Sequence, residues 1–374
     1  MNIYKPFVKT TYIKRTNLCT LMWVVFFVCT NCSQTDAPHS LQLSEVTVSK
    51  IRQFTINSRD SVPIGRLRPL FKSNNDGNLY AFLDEIHQRI ILTDSLGNVN
   101  NEIGKKGKGP EEFIKISGFS IDEKNNVIIH DGMQYVLKIF DNQGRLNQSF
   151  EITPPDLHIT YDALVTHNEH IFFGAIETKY FSDLWQAGNS KNIIQYNYNG
   201  LFIGSFGKYD SLTSNSNNYE LFANISLDRK NNRIYTARTN AYIIEGWDIA
   251  TKKKVRVIDQ KPNLFTFNKK KTTPDLPIPE IKKRSIGATY SSLFITEHYV
   301  YLYMAKNTEA FVNSPNRDYS KKEHALAMYS KQGELIAETK LEHVLANIID
   351  DKLHLIENDD PDNYTIGVYE FSLD

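Results

Sequence analysis

Apolar and polar positions alternate along this chain in one recurring rhythm. A polar turn leads into a short apolar run, a second break leads into another run, and an Asp/Asn/Gly turn leads into a last extended segment. The stretch Asn125–Phe150 shows it most plainly, with Val127–Ile129, a break at Asp131–Gly132, Tyr135–Phe140, the turn Asp141–Gly144, and Arg145–Phe150. Runs rich in β-branched and aromatic residues and bounded by such turns read as successive antiparallel strands. Gly144 supplies the positive φ that the last turn needs.

The same unit recurs. Its polar-turn-and-strand half appears at Asp76–Tyr80, Lys124–Ile128, Asn168–Phe172, Asn231–Tyr235, Glu297–Tyr301 and Asp350–His354. Its second turn follows at Leu92–Gly97, Phe140–Gly144, Tyr196–Gly200, Trp247–Thr251 and Tyr329–Gly333, the glycine being absent from the fourth. The sixth unit reaches Val368–Phe371 and ends one strand short. Four strands per repeat, with repeats of roughly 40–50 residues before insertions, predict an all-β, six-bladed β-propeller of four-stranded antiparallel blades. Val46–Ile56 alternates well enough to be the missing strand and to close the ring.

One connector carries a family likeness. Ile103–Phe113, IGKKGKGPEEF, resembles the inter-blade signature of bacterial six-bladed propellers related to the NHL-repeat family, and Ile203–Lys208 continuing to Tyr219–Phe222 is a degraded copy. The resemblance covers Ser44 to Asp374 in architecture. It implies the propeller fold, and it brings propeller lactonases, lyases and hydrolases into view as a rival activity, with a metal or acidic pair at the channel mouth.

The first residues have a different character. Lys5, Lys9, Lys14 and Arg15 precede an uncharged, mostly apolar run from Leu18 to Thr30, and Cys32 follows. A basic leader with an apolar run too short to span a bilayer is a secretory signal. Val28–Ser33 resembles a bacterial lipoprotein cleavage box, with Cys32 as the lipidated residue and Asn31 departing from the small residue usual before it. The expected divisions are a signal peptide over 1–31, a flexible tether over 32–43 and the propeller over 44–374. The expected location is the outer membrane, on either side, with membrane contact through the lipid alone. Lysines plus arginines equal acids at 43 each, so bulk charge does not point to nucleic acid.

Strand direction then sorts the loops. Loops joining second to third strands, and each blade to the next, share one face of a propeller; the remaining turns share the other. Every long segment falls in the first class: Ile176–Lys191, Lys306–Glu323 and Glu357–Asn363 within blades, and Lys105–Phe113, Lys208–Glu220 and Lys261–Arg284 between them. Function sits most often on loops carried by a rigid scaffold, so this face is the expected binding surface. Candidate contacts are Tyr180, Phe181 and Trp185, whose flat rings suit a glycan or protein partner, with Lys105, Lys106, Lys108, Arg317 and Tyr319. Lys261–Arg284, with basic triplets around a proline-rich centre, reads as a solvated linker or an extended basic strap.

Linear catalytic motifs are absent. His167 and His170 occupy a turn on the undecorated face, where the helix that such spacing needs for zinc is not expected. His130 ends a strand near the decorated face and could point toward the channel, but a lone histidine is more often a structural residue. Asp359, Asp360 and Asp362 lack the spacing and glycine of a calcium loop. No cofactor is expected. The favoured reading is an exported, lipid-anchored propeller binding an envelope protein or glycan; a metal-dependent hydrolase, lactonase or lyase and a structural component of an envelope complex are the alternatives.

Overall fold

A computed structural model describes Ser44 and residues 46–56, 63–152, 157–177, 190–208, 223–238, 241–265, 278–315 and 318–373. The chain divides into two units, Met1–Gln42 and Leu43–Asp374, and all described residues lie in the second.

That unit is a ring of six four-stranded antiparallel sheets. After β1 (Val46–Ile56), blade one holds β2 (Lys72–Ser73), β3 (Leu79–Asp84), β4 (Arg89–Asp94) and β5 (Val99–Ile103). Blade two holds β6 (Ile116–Ile121), β7 (Val127–Asp131), β8 (Val136–Phe140) and β9 (Leu146–Glu151). Blade three holds β10 (Leu157–His167), β11 (His170–Glu177), β12 (Ile193–Asn197) and β13 (Phe202–Phe206). Blade four holds β14 (Ala223–Asp228), β15 (Arg233–Arg238), β16 (Ile244–Asp248) and β17 (Lys254–Ile258). In blade five, α1 (Ile278–Ser285) precedes β18 (Thr289–Ile295) and β19 (Tyr299–Lys306), and α2 (Glu309–Val312) precedes β20 (Glu323–Ser330) and β21 (Leu335–Leu341). Blade six is β22 (Val344–Ile349), β23 (Lys352–Asn358) and β24 (Tyr364–Leu373), completed by β1 on the outside.

The apolar runs are continuous because each blade is buried on both faces. Successive strand residues point to opposite sides, so Phe172 packs toward blade four while Ile171 and Phe173 pack toward blade two. Each of the six seams has its own apolar cluster. The third-to-fourth turns repeat one device, an Asp or Asn whose carboxyl or amide oxygen accepts two backbone N–H groups ahead of a left-handed residue. Asp94, Asp141 and Asn197 do this before Gly97, Gly144 and Gly200. In blade four Lys252 takes the left-handed place with φ 58°.

The first-to-second turns join neighbours. Asn74 donates to Asn125 at 3.0 Å, Lys124 pairs with Glu169 at 2.6 Å, and Arg229 donates to the Thr166 carbonyl at 2.7 Å. Lys230 pairs with Glu297, and Thr296 and His298 both reach Asp351. Between blades six and one, Asn347 donates to the Phe71 carbonyl at 3.2 Å. The exposed ion pairs among these, Lys124–Glu169 and Lys230–Glu297, contribute under about 1 kcal/mol each, so they fix orientation more than stability.

Closure is made by β1, which pairs antiparallel with β24 from Val46↔Leu373 to Ile56↔Tyr364. It also reaches blade one: Arg52 donates to the Ser95 carbonyl at 2.7 Å, and buried Phe54 packs on Tyr80 with ring centres 5.7 Å apart. Phe54→Ala should therefore cost about 3–5 kcal/mol, read as a lowered urea midpoint with unchanged m-value. A loss below about 1 kcal/mol would mean that the strand is an accessory rather than the closing element.

Candidate functional site

The long-loop face is built from two kinds of turn. In blades one and two, the second strand ends in a fully buried aspartate, Asp84 or Asp131, which holds its own turn and the incoming connector together. Asp131 accepts the backbone N–H groups of Ile114, Lys115, Met133 and Gln134. Asp84 accepts those of Gly65, Ile86 and His87, with His87 Nδ1 and Arg89 completing its shell. Burial alone would push the Asp84 carboxyl up, but the hydrogen bonds from His87 and Gly65 outweigh it and hold the carboxyl below its ordinary range. These tight turns expose Ile86, Met133 and Tyr135 at 52%, 60% and 61%.

The glycine-rich connector is locked from beneath. Lys138 of β8 donates to the carbonyls of Gly109 and Glu112 and lies 4.8 Å from the centre of the Phe113 ring. Phe113 is fully buried, and a side chain at Gly104 would collide with its ring at 2.3 Å. Lys105, Lys106 and Lys108 stand exposed on this fixed loop, with Lys105 3.4 Å from Glu112.

Blade five carries a folded insertion. Thr308 caps α2 by accepting from Phe311 N–H, and Asp318 caps the following turn by accepting from Ser320 N–H. The two short elements bring Phe311 and Tyr319 beside Tyr290, the second residue of β18. The Lys322 ammonium lies 5.3, 4.3 and 5.0 Å from the centres of Tyr290, Phe311 and Tyr319. A cation over three ring faces fixes their orientation, while Tyr290 and Tyr319 keep 40% and 42% exposure. Tyr319 is thus part of an aromatic cluster that is not evident from the sequence, because Tyr290 belongs to β18 while Phe311 and Tyr319 belong to the insertion after β19.

At the mouth of the central channel the side chains are charged. Arg68 bridges Glu85 at 3.0 Å and Asp162 of blade three. Burial disfavours the guanidinium, but Asp162 and Glu85 outweigh it and hold Arg68 charged. Arg66 also pairs with Glu85, at 3.0 Å. The inner strands bulge at this level, between Ile116 and Gly118, Ile159 and Leu164, and Leu345 and Asn347. Bulges of this kind re-aim side chains. Among the described residues, no three His, Cys, Asp or Glu side chains converge on a point that could hold a metal ion.

The remaining histidines and acidic residues have structural places. His130 does not face the channel: it is buried in the seam between blades two and three, edge-on to Phe173 at 5.5 Å, because alternation along β7 turns it sideways. His167 approaches Glu123 of the blade-two turn at 3.1 Å, and His170 approaches the Asn168 carbonyl of its own turn at 2.9 Å. The basic segment before blade five ends in the helix α1, with Pro279 and Glu280 in its first turn where both residue types favour a helix start. Around Asp359, Asp360 and Asp362, Asn358 and Asp360 side chains accept backbone N–H groups. Cys32, Tyr180, Phe181, Trp185 and Arg317 lie outside the described residues.

The family model and two solved structures agree with this fold. The chain belongs to the family described as 6-bladed beta-propeller (DUF5128), which matches residues 33–354. A DUF4221 family member from Bacteroides vulgatus is similar in structure, with TM-score 0.69 and 12% identity over 89% of this chain and 100% of that one. An exported-protein structure from Bacteroides fragilis has TM-score 0.54 and 12% identity over 88% of this chain and 95% of its own. In sequence, surface presentation of antigens protein SpaN of Shigella sonnei is 26% identical over 158 residues, 42% of this chain. The chain spans 51% of that protein's length, about half.

The seams also predict a pH response. Burial lowers His130, His324 and His354 to about 4 each. A histidine with a folded pKa below its unfolded value of about 6.5 contributes stability above 6.5 that is lost as pH falls toward 4. The urea midpoint should fall across that window. His130→Leu should flatten the slope without lowering stability at pH 5, since both His130 ring nitrogens lack a partner among the described residues. An unchanged slope would rule out His130 as a contributor.

Proposed function

We propose that this six-bladed propeller is a recognition protein, binding an envelope protein or glycan through its long-loop face without chemical turnover. The observation that supports this most directly is the distribution of exposed apolar side chains. Among the described residues, five large ones stand on that face: Ile86, Met133, Tyr135, Tyr290 and Tyr319. Only Leu96 and Leu201 stand on the turns of the opposite face, and the rest lie along β1 and the outer strands. Exposed apolar side chains gathered on one face mark interaction sites, and tyrosines on rigid supports contribute large contact area at small entropic cost.

Two regions share the work in this reading. Ile86, Met133 and Tyr135 form an apolar ridge over blades one and two, fixed by Asp84 and Asp131. Tyr290 and Tyr319 form an aromatic platform on blade five, fixed by Lys322. Tyr180, Phe181, Trp185 and Arg317 belong to long segments of the same face and would extend it, as would Lys105, Lys106 and Lys108. The relation to the NHL-repeat propellers, the signal peptide over 1–31 and lipidation at Cys32 complete the proposal: an exported protein held to the outer membrane by its lipid, with the ring at the end of a tether.

A glycan array and cross-linked capture from envelope membranes test this together, with the full chain and its Tyr290→Ala/Tyr319→Ala variant. Partner retention should fall by about tenfold to a hundredfold in the variant, with an unchanged thermal midpoint because both rings are partly exposed. Equal retention by variant and wild type on both supports would overturn the blade-five platform as the binding surface.

A further inference from the structure

Lysines lie over aromatic rings at several places in this propeller. Lys138 and Lys254 each face a single described ring, Phe113 and Trp247, and each is also tied to a backbone carbonyl or a carboxylate. Lys322 differs in number. The ring centres of Tyr290, Phe311 and Tyr319 all lie within 5.3 Å of its ammonium. The Phe311 and Tyr319 rings meet at 45° with centres 5.8 Å apart, so they form two walls rather than one flat surface. Ring faces are the negative side of the aromatic quadrupole, and several of them around one point make a cage for a positive charge.

Each wall is positioned by backbone contacts of its own element. Tyr290 is set by β18, where it pairs with Ala305 of β19. Phe311 is set by α2, whose N-cap Thr308 accepts from the Phe311 N–H at 3.1 Å. Tyr319 is set by the turn that follows, in which Asp318 accepts the Ser320 N–H at 3.0 Å and the Lys322 N–H donates to the Tyr319 carbonyl at 3.1 Å. Of these contacts only the last involves Lys322, through its backbone. The rim of the cage reaches solvent: Tyr290 and Tyr319 are exposed, and Lys322 is only partly buried.

A primary ammonium is not the best occupant of such a place. It is compact and strongly hydrated, and ring faces accept from its three N–H donors only weakly. A trimethylammonium group has the same charge, no N–H to satisfy, and methyl groups that bury apolar surface on the rings. Lysine carries its charge on a flexible four-carbon stem, so the Lys322 head can leave for water. An incoming cation would then keep the three rings oriented as Lys322 does. We propose that the blade-five cage binds a trimethylammonium group, with Lys322 holding its place in the free protein. The inference rests on the reading of blade five as part of the binding face, and it names the chemical group that this part takes.

Isothermal titration of the full chain and its Lys322→Ala variant with choline tests the proposal. Both should bind choline, the variant about fivefold more tightly because the competing ammonium is gone. Ethanolamine, and the neutral analogue of choline with carbon in place of nitrogen, should bind at least about fivefold more weakly than choline. Tyr290→Ala should weaken choline by about the same factor. Glycerophosphocholine separates the sources of the group: binding tighter than choline assigns a lipid headgroup, and equal or weaker binding assigns a free quaternary amine. A second measurement needs no variant: acylation of Lys322 by an activated ester, followed by mass spectrometry, should quicken in choline as the displaced ammonium enters water. Failure of choline to bind, equal binding of the neutral analogue or of ethanolamine, no gain from Lys322→Ala, indifference to Tyr290→Ala, or acylation that ignores choline would each overturn it. Any of these, with partner retention still dependent on Tyr290 and Tyr319, rejects the cage and leaves the platform standing.

Discussion

A blade of this protein cannot bury itself. Each sheet is apolar on both faces, so a lone blade would leave both in water, and only a neighbour on either side satisfies it. Everything else follows from that requirement: six apolar seams, a ring that must close, and polar chemistry confined to the two ends of the strands. Even the buried polar groups obey it. His130 and His354 are neutral rings set edge-on to aromatic neighbours in seams, where they pack as shapes rather than as bases.

The two ends of the strands have diverged in role. On the short-turn face the polar side chains are spent on each other, blade to blade, from Asn74 and Asn125 round to Thr296 and Asp351. On the long-loop face the corresponding polar groups, such as Asp84, Asp131 and Lys138, hold loops in place from beneath. They leave rings, methyls and lysines outward. Rigid support under an exposed surface lowers the ordering entropy paid on binding.

Much of this was legible in the sequence, for a physical reason. Turns such as Asp141–Gly144 need particular residues at fixed places, and strands buried on two faces need unbroken apolar runs, so blade count, closure by Val46–Ile56 and the division of loops between faces could all be read. What could not be read depends on contacts between different elements. Arg68 and Asp162 are brought together by a bulge, and Tyr290, Phe311 and Tyr319 by a small helix inserted between two strands. Asp84 and Asp131 did leave a signal: each stands ten positions before the turn aspartate of its blade, Asp94 or Asp141. His130 is a structural ring, as a lone histidine most often is, and alternation in a two-sided sheet turns it into the seam rather than toward the channel.

The pairing of β1 with β24 also sets a timetable. A ribosome makes Val46–Ile56 first among the strands and Tyr364–Leu373 last, yet each is the other's edge. Five blades can be complete while the opening strand still waits, its backbone groups unmatched, for a partner hundreds of residues away. Long-range pairing of this sort is slow and leaves edges exposed to other chains. Sealing the ring is thus a proofreading step, since a chain truncated before β24 has no partner for its own beginning.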